Sequence, residues 1–270
     1  MPGRKHGVPL AALLASVALF SGCATKPTAA GSSFVSHEPG VLTVATAFLP
    51  APGFWEGNPP TNGFEARLAQ ALAVKLGLRR VRVVQVPFAD VVHGKLHGAD
   101  IGLSQVTPTK DRDRFADFST PYLTAPPGVL AIQRVDASDV HDLRQLRWVI
   151  ARVSTLTPIV EGTIRPAHPP LVVEDRSNAL AALRAGRADA LLLDLPVALG
   201  LARSEPLRFH VLGQLSGGEG LSAVLPNGSS NLEIVDSAIR ALQADGTIGR
   251  LTSRWLGTSF QDVPLILTER

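Results

Sequence analysis

The chain has 270 residues, of which 45% are hydrophobic and 18% are charged. This length and composition favour a folded protein with one large domain or two lobes, and they exclude an intrinsically disordered chain. The formal net charge is +3, but residues 1–22 hold two basic and no acidic side chains, so 24 basic and 23 acidic side chains remain beyond them. A nearly neutral body lacks the basic surface expected of a nucleic-acid-binding protein.

The N-terminal segment has the parts of an export signal. The basic pair Arg4-Lys5 precedes an apolar run over residues 8–20, which is followed by small residues and then by Cys23. This order predicts a lipoprotein signal peptide over residues 1–22, with lipidation of Cys23. A plain signal peptide, or a short membrane helix with an incidental cysteine, is the alternative. Because the chain has no second cysteine, no disulfide is expected.

The first half of the body alternates strands and helices. Residues 23–39 are small and polar and include prolines, which predicts a flexible tether. Beyond this tether, residue spacing and glycine stops predict the following elements in chain order: strand VLTVAT, helix GFEARLAQALAVKLGL, strand VRVVQV, short helix FADVVHGKLHG and strand ADIGLSQV.

The second half repeats this alternation. Its predicted elements are strands LRWVIARV and LVVED, helix SNALAALRAG with Ser177 as N-cap, strand ADALLLD, and the closing helices NLEIVDSAIRALQADG and TIGRLTSRWLG. Strands that alternate with helices predict an α/β fold with parallel neighbouring strands. The glycines Gly217, Gly218 and Gly220 lie between strand ADALLLD and the closing helices, where they predict a hinge.

In both halves of the chain, polar residues lie at the end of a predicted strand. One strand ends near Thr107 and Arg112, and the other ends at Asp194. Ligands of open α/β sheets bind beyond the carboxyl ends of the strands. Two lobes that face each other would therefore present an arginine and an aspartate across one cleft, an arrangement that suits a zwitterion.

Five ordered segments resemble the polar amino-acid-binding family of extracytoplasmic solute-binding proteins, the capture components of ABC importers (family 3). The resemblance implies a two-lobed periplasmic-binding-protein fold with two crossover hinge strands. Lobe 1 would comprise residues 40–125 and 222–258, lobe 2 residues 126–221, and residues 259–270 would form a C-terminal tail. The matching segments are GFEARLAQALAVKLGL, VTPTKDRDRFADFSTPY, DLRQLRWVIARVST, ALAALRAGRADALLLDLPVAL and LQADGTIGRLTSRWLG.

The resemblance implies a carboxylate-binding group in lobe 1. Its members would be Arg112, the hydroxyl of Thr107 and the main-chain amide of Gln105. A guanidinium suits this role because its planar fork binds both carboxylate oxygens. Thr107 and Pro108 also read as the N-cap and first residue of a helix, which would direct free amides at the same anion. On local charge alone, Arg112 could instead pair at the surface with a neighbouring aspartate.

Lobe 2 would supply the remaining polar contacts. The resemblance places its amide and hydroxyl groups at Ser154 and Thr155, and it assigns the ammonium of the ligand to Asp194. Val153 stands where the family has a glycine, which puts close backbone approach to the ligand in doubt. Asp194 could equally cap the helix that follows it. The two assignments are compatible, because a capping residue at a strand end also lines the cleft.

An aromatic residue near the first strand is expected to pack against the ligand, and the resemblance assigns this role to Phe54 or Trp55. Arg152 could face a ligand side-chain carboxylate, although an exposed arginine is the simpler interpretation. His93 and His97 have a helical metal-binding spacing, but no third ligand lies near them in the sequence. No metal or cofactor is therefore expected, and the absence of GxSxG and P-loop motifs gives no support for hydrolase or NTPase chemistry.

Together these features predict a protein that is not an enzyme and that binds an amino acid or similar small zwitterion outside the membrane. It would deliver this ligand to an ABC transporter permease, as a monomer held by a lipid anchor on the periplasmic or extracellular face. One alternative is a ligand sensor for a membrane signalling partner. Another is a cyclohexadienyl or prephenate dehydratase-like enzyme on the same scaffold, which would need a general acid in the cleft.

Overall fold

The computed structural model describes residues 1–3, 33–257, 260 and 262–267. Most of the predicted signal peptide, Cys23 and most of the predicted tether lie outside these residues. From Ser33 onward the chain forms a mixed α/β fold with two six-stranded sheets. None of the helices in the described ranges is long and apolar enough to cross a membrane.

The first sheet combines strands from both ends of the body. The spatial order of its strands is β2-β1-β3-β11-β4, and β5 also pairs with β11. Strands β2, β1 and β3 are parallel to one another, whereas β11 is antiparallel to β3, β4 and β5. The strands are β1 (Val41–Thr46), β2 (Arg80–Gln85), β3 (Ile101–Val106), β4 (Ala116–Phe118), β5 (Leu123–Ala125) and β11 (Glu219–Pro226).

The second sheet has the spatial order β12-β10-β6-β9-β7-β8. Strands β7, β8 and β9 are parallel, whereas β6 runs antiparallel to both β9 and β10. The predicted C-terminal tail contributes β12, which pairs with β10. The strands are β6 (Pro127–Ile132), β7 (Trp148–Ala151), β8 (Leu171–Val173), β9 (Ala190–Asp194), β10 (Phe209–Leu215) and β12 (Leu265–Ile266).

Helices connect the strands of both sheets. They are α1 (Phe64–Lys75), α2 (Phe88–Val92), a 3₁₀-helix (Arg112–Arg114), α3 (Val140–Gln145), α4 (Thr157–Ile159), a π-helix (Val160–Ile164), α5 (Arg176–Arg184), α6 (Leu195–Ser204), α7 (Leu232–Ala244) and α8 (Thr247–Trp255). The prediction that Ser177 caps α5 is wrong. The cap is Asp175, whose carboxylate accepts a hydrogen bond from the amide of Asn178, so α5 begins one residue before Ser177.

Helix α1 illustrates how the apolar pattern produces the packing. Phe64, Leu68 and Leu72 recur at a spacing of four and are fully buried, because this spacing places them on one face of the helix. The helix ends before Gly77, which adopts a φ of +73° that glycine tolerates without steric cost. These three side chains belong to a hydrophobic cluster that also includes Leu130 of the second sheet.

The chain passes between the sheets from β5 to β6, from β10 to β11 and from β11 to β12. The first two passages lie side by side. Pro126 links β5 to β6, and residues 216–218 link β10 to β11. A Cβ atom on Gly218 would lie 2.8 Å from the Cα of Pro126, and Gly218 has a φ of +148°. The glycine therefore permits a close approach of the two crossing segments.

Candidate functional site

A cavity of about 740 Å³ lies between the two sheets. It is lined by the residues that follow the carboxyl ends of the three parallel strands in each sheet, where α/β proteins bind ligands. Its volume is in the range typical of small-molecule sites. From the first sheet the lining residues include Phe48, Phe88, Gln105, Thr107 and Arg112, and from the second they include Val153, Ser154, Thr155, Arg176 and Asp194.

Arg112 is half-buried on this cavity and contacts both sides of it. Its Nη1 donates to the carbonyl oxygen of Thr107 at 2.7 Å, and its Nη2 donates to the carbonyl oxygen of Val153, in the turn after β7, at 3.4 Å. The guanidinium also lies 5.8 Å from the ring centroid of Phe88, within the range of a cation-π contact. These contacts orient the guanidinium in the cavity.

The predicted helix start at Thr107-Pro108 is wrong. The segment that follows β3 contains only the 3₁₀-helix Arg112–Arg114, and Thr107 precedes it by five residues. The hydroxyl of Thr109, not that of Thr107, accepts a hydrogen bond from the amide of Arg112. A helix N-terminus therefore does not contribute to anion binding at Thr107, and the positive charge on this wall comes from Arg112 itself.

Gln105 lines the cavity, but its main-chain amide is already engaged. The amide donates to Oε1 of Glu65 at 2.8 Å, and the side-chain Nε2 donates to Oε2 of the same carboxyl group at 2.5 Å. Gln105 also has a φ of +49°, a left-handed conformation that is uncommon outside glycine and that concentrates at functional sites. The expectation that this amide binds the ligand therefore conflicts with its engagement by Glu65.

Glu65 is a buried carboxyl group beneath the cavity wall. Besides the two bonds from Gln105, it accepts bonds from the hydroxyl of Tyr122 and from the indole nitrogen of Trp55, at 2.5 and 2.6 Å respectively. Burial raises the pKa of Glu65 above its ordinary value of 4.5, and this effect outweighs the four hydrogen bonds, which act in the opposite direction. The pKa of Tyr122 is also raised, first by burial and then by the adjacent negative charge of Glu65.

Asp194 ends β9 and occupies the N-cap position of α6, yet its side chain makes no capping hydrogen bond. Pro196 lies in the first turn of α6, as expected for a helix start. The main-chain amide of Leu195 donates to the carbonyl oxygen of Pro126 at 2.8 Å, which fixes this strand end against the passage between the sheets. The carboxylate is half-buried on the cavity.

Ser154 and Thr155 line the cavity as well. The amide of Ser154 donates to Ala151 within its own turn, and its hydroxyl accepts from the amide of Leu156. By contrast, neither the amide nor the hydroxyl of Thr155 donates a hydrogen bond within the described ranges. Val153 has 42% of its surface exposed and directs its carbonyl oxygen at Arg112.

The structure places the expected aromatic residues behind the cavity wall. Phe54 is fully buried in the core against the ring of Phe64, and it does not line the cavity. Trp55 does not line it either, because its indole donates to Glu65 and its ring packs against Phe48 at a centroid distance of 6.1 Å. Among the residues that the structure describes, the aromatic rings on the cavity are those of Phe48 and Phe88, which follow the ends of β1 and β2.

Sequence reasoning also missed Arg176, which is half-buried on the cavity at the start of α5. Its Nη1 donates to Oε1 of Gln105 at 3.2 Å. Burial lowers the pKa of Arg176, and the negative charges of Asp194 and Glu65 partly oppose this effect. The signal was present in the sequence, since Arg176 follows the predicted strand LVVED and therefore lies near a carboxyl end.

His93 and His97, which have a helical metal-binding spacing, contact different partners in the structure. The ring of His93 contacts the carbonyl oxygen of Ala89, whereas His97 pairs with Asp90. Within the described residues, one group of three side chains could share an ion, namely Asp139, His141 and Asp142 near the start of α3. Asp139 caps this helix through the amide of Asp142, which accounts for the proximity of the two carboxylates.

Comparisons with known proteins give similar proteins over most of the chain. The chain is 28% identical over 250 residues to the L-cystine-binding protein TcyJ of Escherichia coli (strain K12), covering 90% of this chain and 92% of that protein. It is also 28% identical over 238 residues to the arginine-binding extracellular protein ArtP of Bacillus subtilis (strain 168), with 84% and 91% covered. An ancestral arginine-binding protein bound to arginine superimposes with a TM-score of 0.67 at 26% identity, covering 80% of this chain and 98% of the other.

The fold is thus that of the two-lobed amino-acid-binding proteins, and the three similar proteins named above are binding proteins. Residues 42–258, most of the body, match the family of bacterial extracellular solute-binding proteins, family 3. The chain belongs to this family of extracytoplasmic amino-acid-binding proteins.

Proposed function

We propose that the cavity binds an amino acid through its two main-chain charges. The observation that carries this proposal is the position of Arg112 and Asp194, which line one cavity from opposite sheets. The guanidinium of Arg112 binds the α-carboxylate, and the carboxylate of Asp194 binds the α-ammonium. Both pairs are charge-assisted hydrogen bonds in a half-buried site, where such bonds are stronger than in water.

Ligand binding favours closure of the two lobes. A zwitterion held only by Arg112 has one charge satisfied, and contact with Asp194 requires the second sheet to approach. The closed state therefore binds the ligand better and is favoured by it. Arg112 already reaches Val153 across the cavity, so this bond supports the closed arrangement from the first sheet.

The relatives support an amino acid as the ligand class. Their names specify L-cystine in one case and arginine in the other. These two amino acids have different side chains and share the α-carboxylate and α-ammonium. Recognition of the shared groups by Arg112 and Asp194 is consistent with ligand side chains that differ within one family.

Delivery to an ABC transporter permease and attachment through a lipid on Cys23 complete the proposed role. The monomer would then remain at the outer face of the membrane and pass its ligand to the permease. The lipid anchor is tested by labelling cells with an alkyne-tagged fatty acid and comparing the wild type with Cys23→Ala. The Cys23→Ala variant should carry no fatty-acid label and should no longer fractionate with the membranes. Label that persists in this variant would exclude Cys23 as the anchor site.

The binding role is tested by a thermal-shift screen of the full chain against the common amino acids and L-cystine. A true ligand stabilises the folded state by about 2.7 kcal/mol at a concentration one hundred times its Kd. No shift with any of these compounds would refute the proposed function. Co-purification of the liganded protein with a permease would then support import. Co-purification with a signalling receptor would support the sensor alternative.

A further inference from the structure

We propose that Gln105 and Arg176 form a contact between the two lobes that stabilises the closed state and so raises ligand affinity. Both are positioning residues in this proposal, because they hold the lobes around the ligand and act without contacting it. The inference rests on the proposed function, since it requires that the lobes close around an amino acid.

The contact crosses the cavity from the second sheet to the first. Arg176 is the first residue of α5, which follows β8, and Gln105 lies in β3. Nη1 of Arg176 donates to Oε1 of Gln105 at 3.2 Å. A hydrogen bond with a charged donor is stronger than one between neutral groups. Because its two residues lie on opposite sides of the cavity, this bond is made when the lobes are close and is lost when they separate.

Glu65 fixes the acceptor of this bond. The main-chain amide of Gln105 donates to Oε1 of Glu65 at 2.8 Å, and Nε2 of Gln105 donates to Oε2 of Glu65 at 2.5 Å. An amide nitrogen cannot accept a hydrogen bond, so this pairing leaves Oε1 of Gln105 facing Arg176. Gln105, which is 4% exposed, is therefore ordered before the lobes close and loses little conformational entropy when the contact forms.

Charge also attracts Arg176 towards the first lobe. Burial lowers the pKa of Arg176, whereas the negative charges of Asp194 and Glu65 raise it. Asp194 ends β9 of the second sheet, on the same side of the cavity as Arg176, so its attraction acts in the open and the closed state. Glu65 belongs to α1, which packs on the first sheet. The attraction of the ionised Glu65 carboxylate for Arg176 therefore increases as the lobes approach each other.

The contact between Gln105 and Arg176 can persist when a ligand binds. A second hydrogen bond crosses the cavity from Arg112 to the carbonyl oxygen of Val153, at 3.4 Å. The proposed function assigns Arg112 to the α-carboxylate, so a ligand competes with Val153 for that guanidinium. Gln105 and Arg176 have no part in the proposed contacts with the α-carboxylate and the α-ammonium. Their hydrogen bond can therefore hold the lobes together in both the empty and the liganded closed state.

A contact made only in the closed state raises the closed fraction of the ligand-free protein. The apparent Kd equals the intrinsic Kd divided by the binding-competent fraction, so loss of the contact should weaken binding. The ligand enters the open state and leaves when the lobes reopen. We therefore expect the weaker binding to result from faster dissociation and not from slower association.

Small-angle X-ray scattering of the ligand-free full chain tests the contact itself. Gln105→Met and Arg176→Met each preserve the length of the side chain and remove the acceptor or the donor. Each variant should have a larger radius of gyration than the wild type, and the double variant should be no larger than either single variant. Arg187→Met removes an exposed arginine just beyond α5 and should scatter as the wild type does. Wild-type scattering from both single variants, or an increase that adds in the double variant, would overturn the inference.

Stopped-flow binding and calorimetry with the common amino acids and L-cystine test the effect on affinity. Gln105→Met should raise the Kd by about tenfold, mainly through the dissociation rate, because one hydrogen bond to a charged group is lost. The same substitution should cause no further loss in the Arg176→Met background. A misfolded fraction would lower the stoichiometry and leave the dissociation rate unchanged. An equal loss in both backgrounds would show that the two residues act independently and would overturn the inference.

These two measurements separate the inference from the proposed function on which it rests. If the wild type bound none of the compounds, the proposed function would be wrong, and the scattering of the ligand-free proteins would still decide whether the contact holds the lobes together. If Arg176→Met does not fold, Gln105→Met decides the inference. It should be less compact than the wild type and release its ligand faster, and wild-type values for both would overturn the inference.

Discussion

The substitution Glu65→Gln should destabilise the protein although it preserves the shape of the side chain. Oε1 of Glu65 accepts from the amide of Gln105 and the hydroxyl of Tyr122, and Oε2 accepts from Trp55 and from the side chain of Gln105. A carboxyl group offers acceptors at both positions. A glutamine amide offers an oxygen at one position and only donors at the other.

Either orientation of the new amide leaves a buried donor without an acceptor. If the NH₂ group replaces Oε1, the Tyr122 hydroxyl can rotate to accept from it, but the main-chain amide of Gln105 cannot. If it replaces Oε2, the indole of Trp55 faces a donor. One orphaned buried donor costs about 1–3 kcal/mol, so we expect Glu65→Gln to lose about 2 kcal/mol, which lowers the Tm by roughly 4 to 8 °C in a chain of this size.

The loss of stability caused by Glu65→Gln should also depend on pH in a defined direction. Burial raises the pKa of Glu65 above its ordinary value of 4.5, so the folded state binds the proton more tightly than the unfolded state. The resulting stability is fully present below the unfolded pKa and is lost as the pH rises through the folded pKa. Because Glu65→Gln has no titrating group here, the stability difference between wild type and variant should narrow as the pH rises above 4.5.

Urea unfolding followed by tryptophan fluorescence measures both the loss of stability in Glu65→Gln and its dependence on pH. Glu233→Gln makes the same chemical change at an exposed position in the first turn of α7. It should alter the free energy of unfolding by no more than about 0.5 kcal/mol. If Glu65→Gln behaved like this control, or if its deficit widened with rising pH, the account of the buried network would be refuted.

Two further substitutions test the packing between the lobes and a surface ion pair. A Cβ atom on Gly200 of α6 would lie 2.4 Å from the carbonyl oxygen of Pro52 in the loop after β1, so Gly200→Ala should weaken amino-acid binding in calorimetry. A Cβ atom on Gly162 would meet nothing within 4 Å, so Gly162→Ala is the control, and equal affinities of the two variants would contradict this view of closure. A hydrogen bond from Arg147 lowers the pKa of Asp189 below 3.8, so Asp189→Asn should lower the free energy of unfolding in urea near neutral pH by about 1 kcal/mol. This loss of stability should shrink as the pH falls below 3.8, and a loss that grew in acid would refute the linkage.

The sequence predicted the elements whose pattern is local. The spacing of Phe64, Leu68 and Leu72 predicted α1, and the apolar run before Asp194 predicted β9, because burial on one helix face or inside a parallel sheet leaves a regular pattern. Strands β6 and β10 were not predicted. Their pairing joins segments far apart in the chain, and their residues show no simple alternation.

The part of the site that lies at the ends of strands was predictable from the sequence. Asp194 and Arg112 follow predicted strands, and both line the cavity. The choice between aromatic residues was not predictable, since Phe48 and Phe54 are both close to the end of β1 and only tertiary packing buries Phe54. Arg176 was missed although it follows the predicted strand LVVED, and its place on the cavity wall is set by the position at which α5 begins.

The central claim is that Arg112 and Asp194 bind the two main-chain charges of one amino acid. Calorimetry with the tightest-binding amino acid, using the wild type, Arg112→Ala and Asp194→Ala, tests it most directly. Each substitution leaves a charged ligand group unpaired in a half-buried site and should weaken binding by at least about a hundredfold, or about 2.7 kcal/mol. Wild-type affinity in either variant, with the fold intact, would contradict the claim.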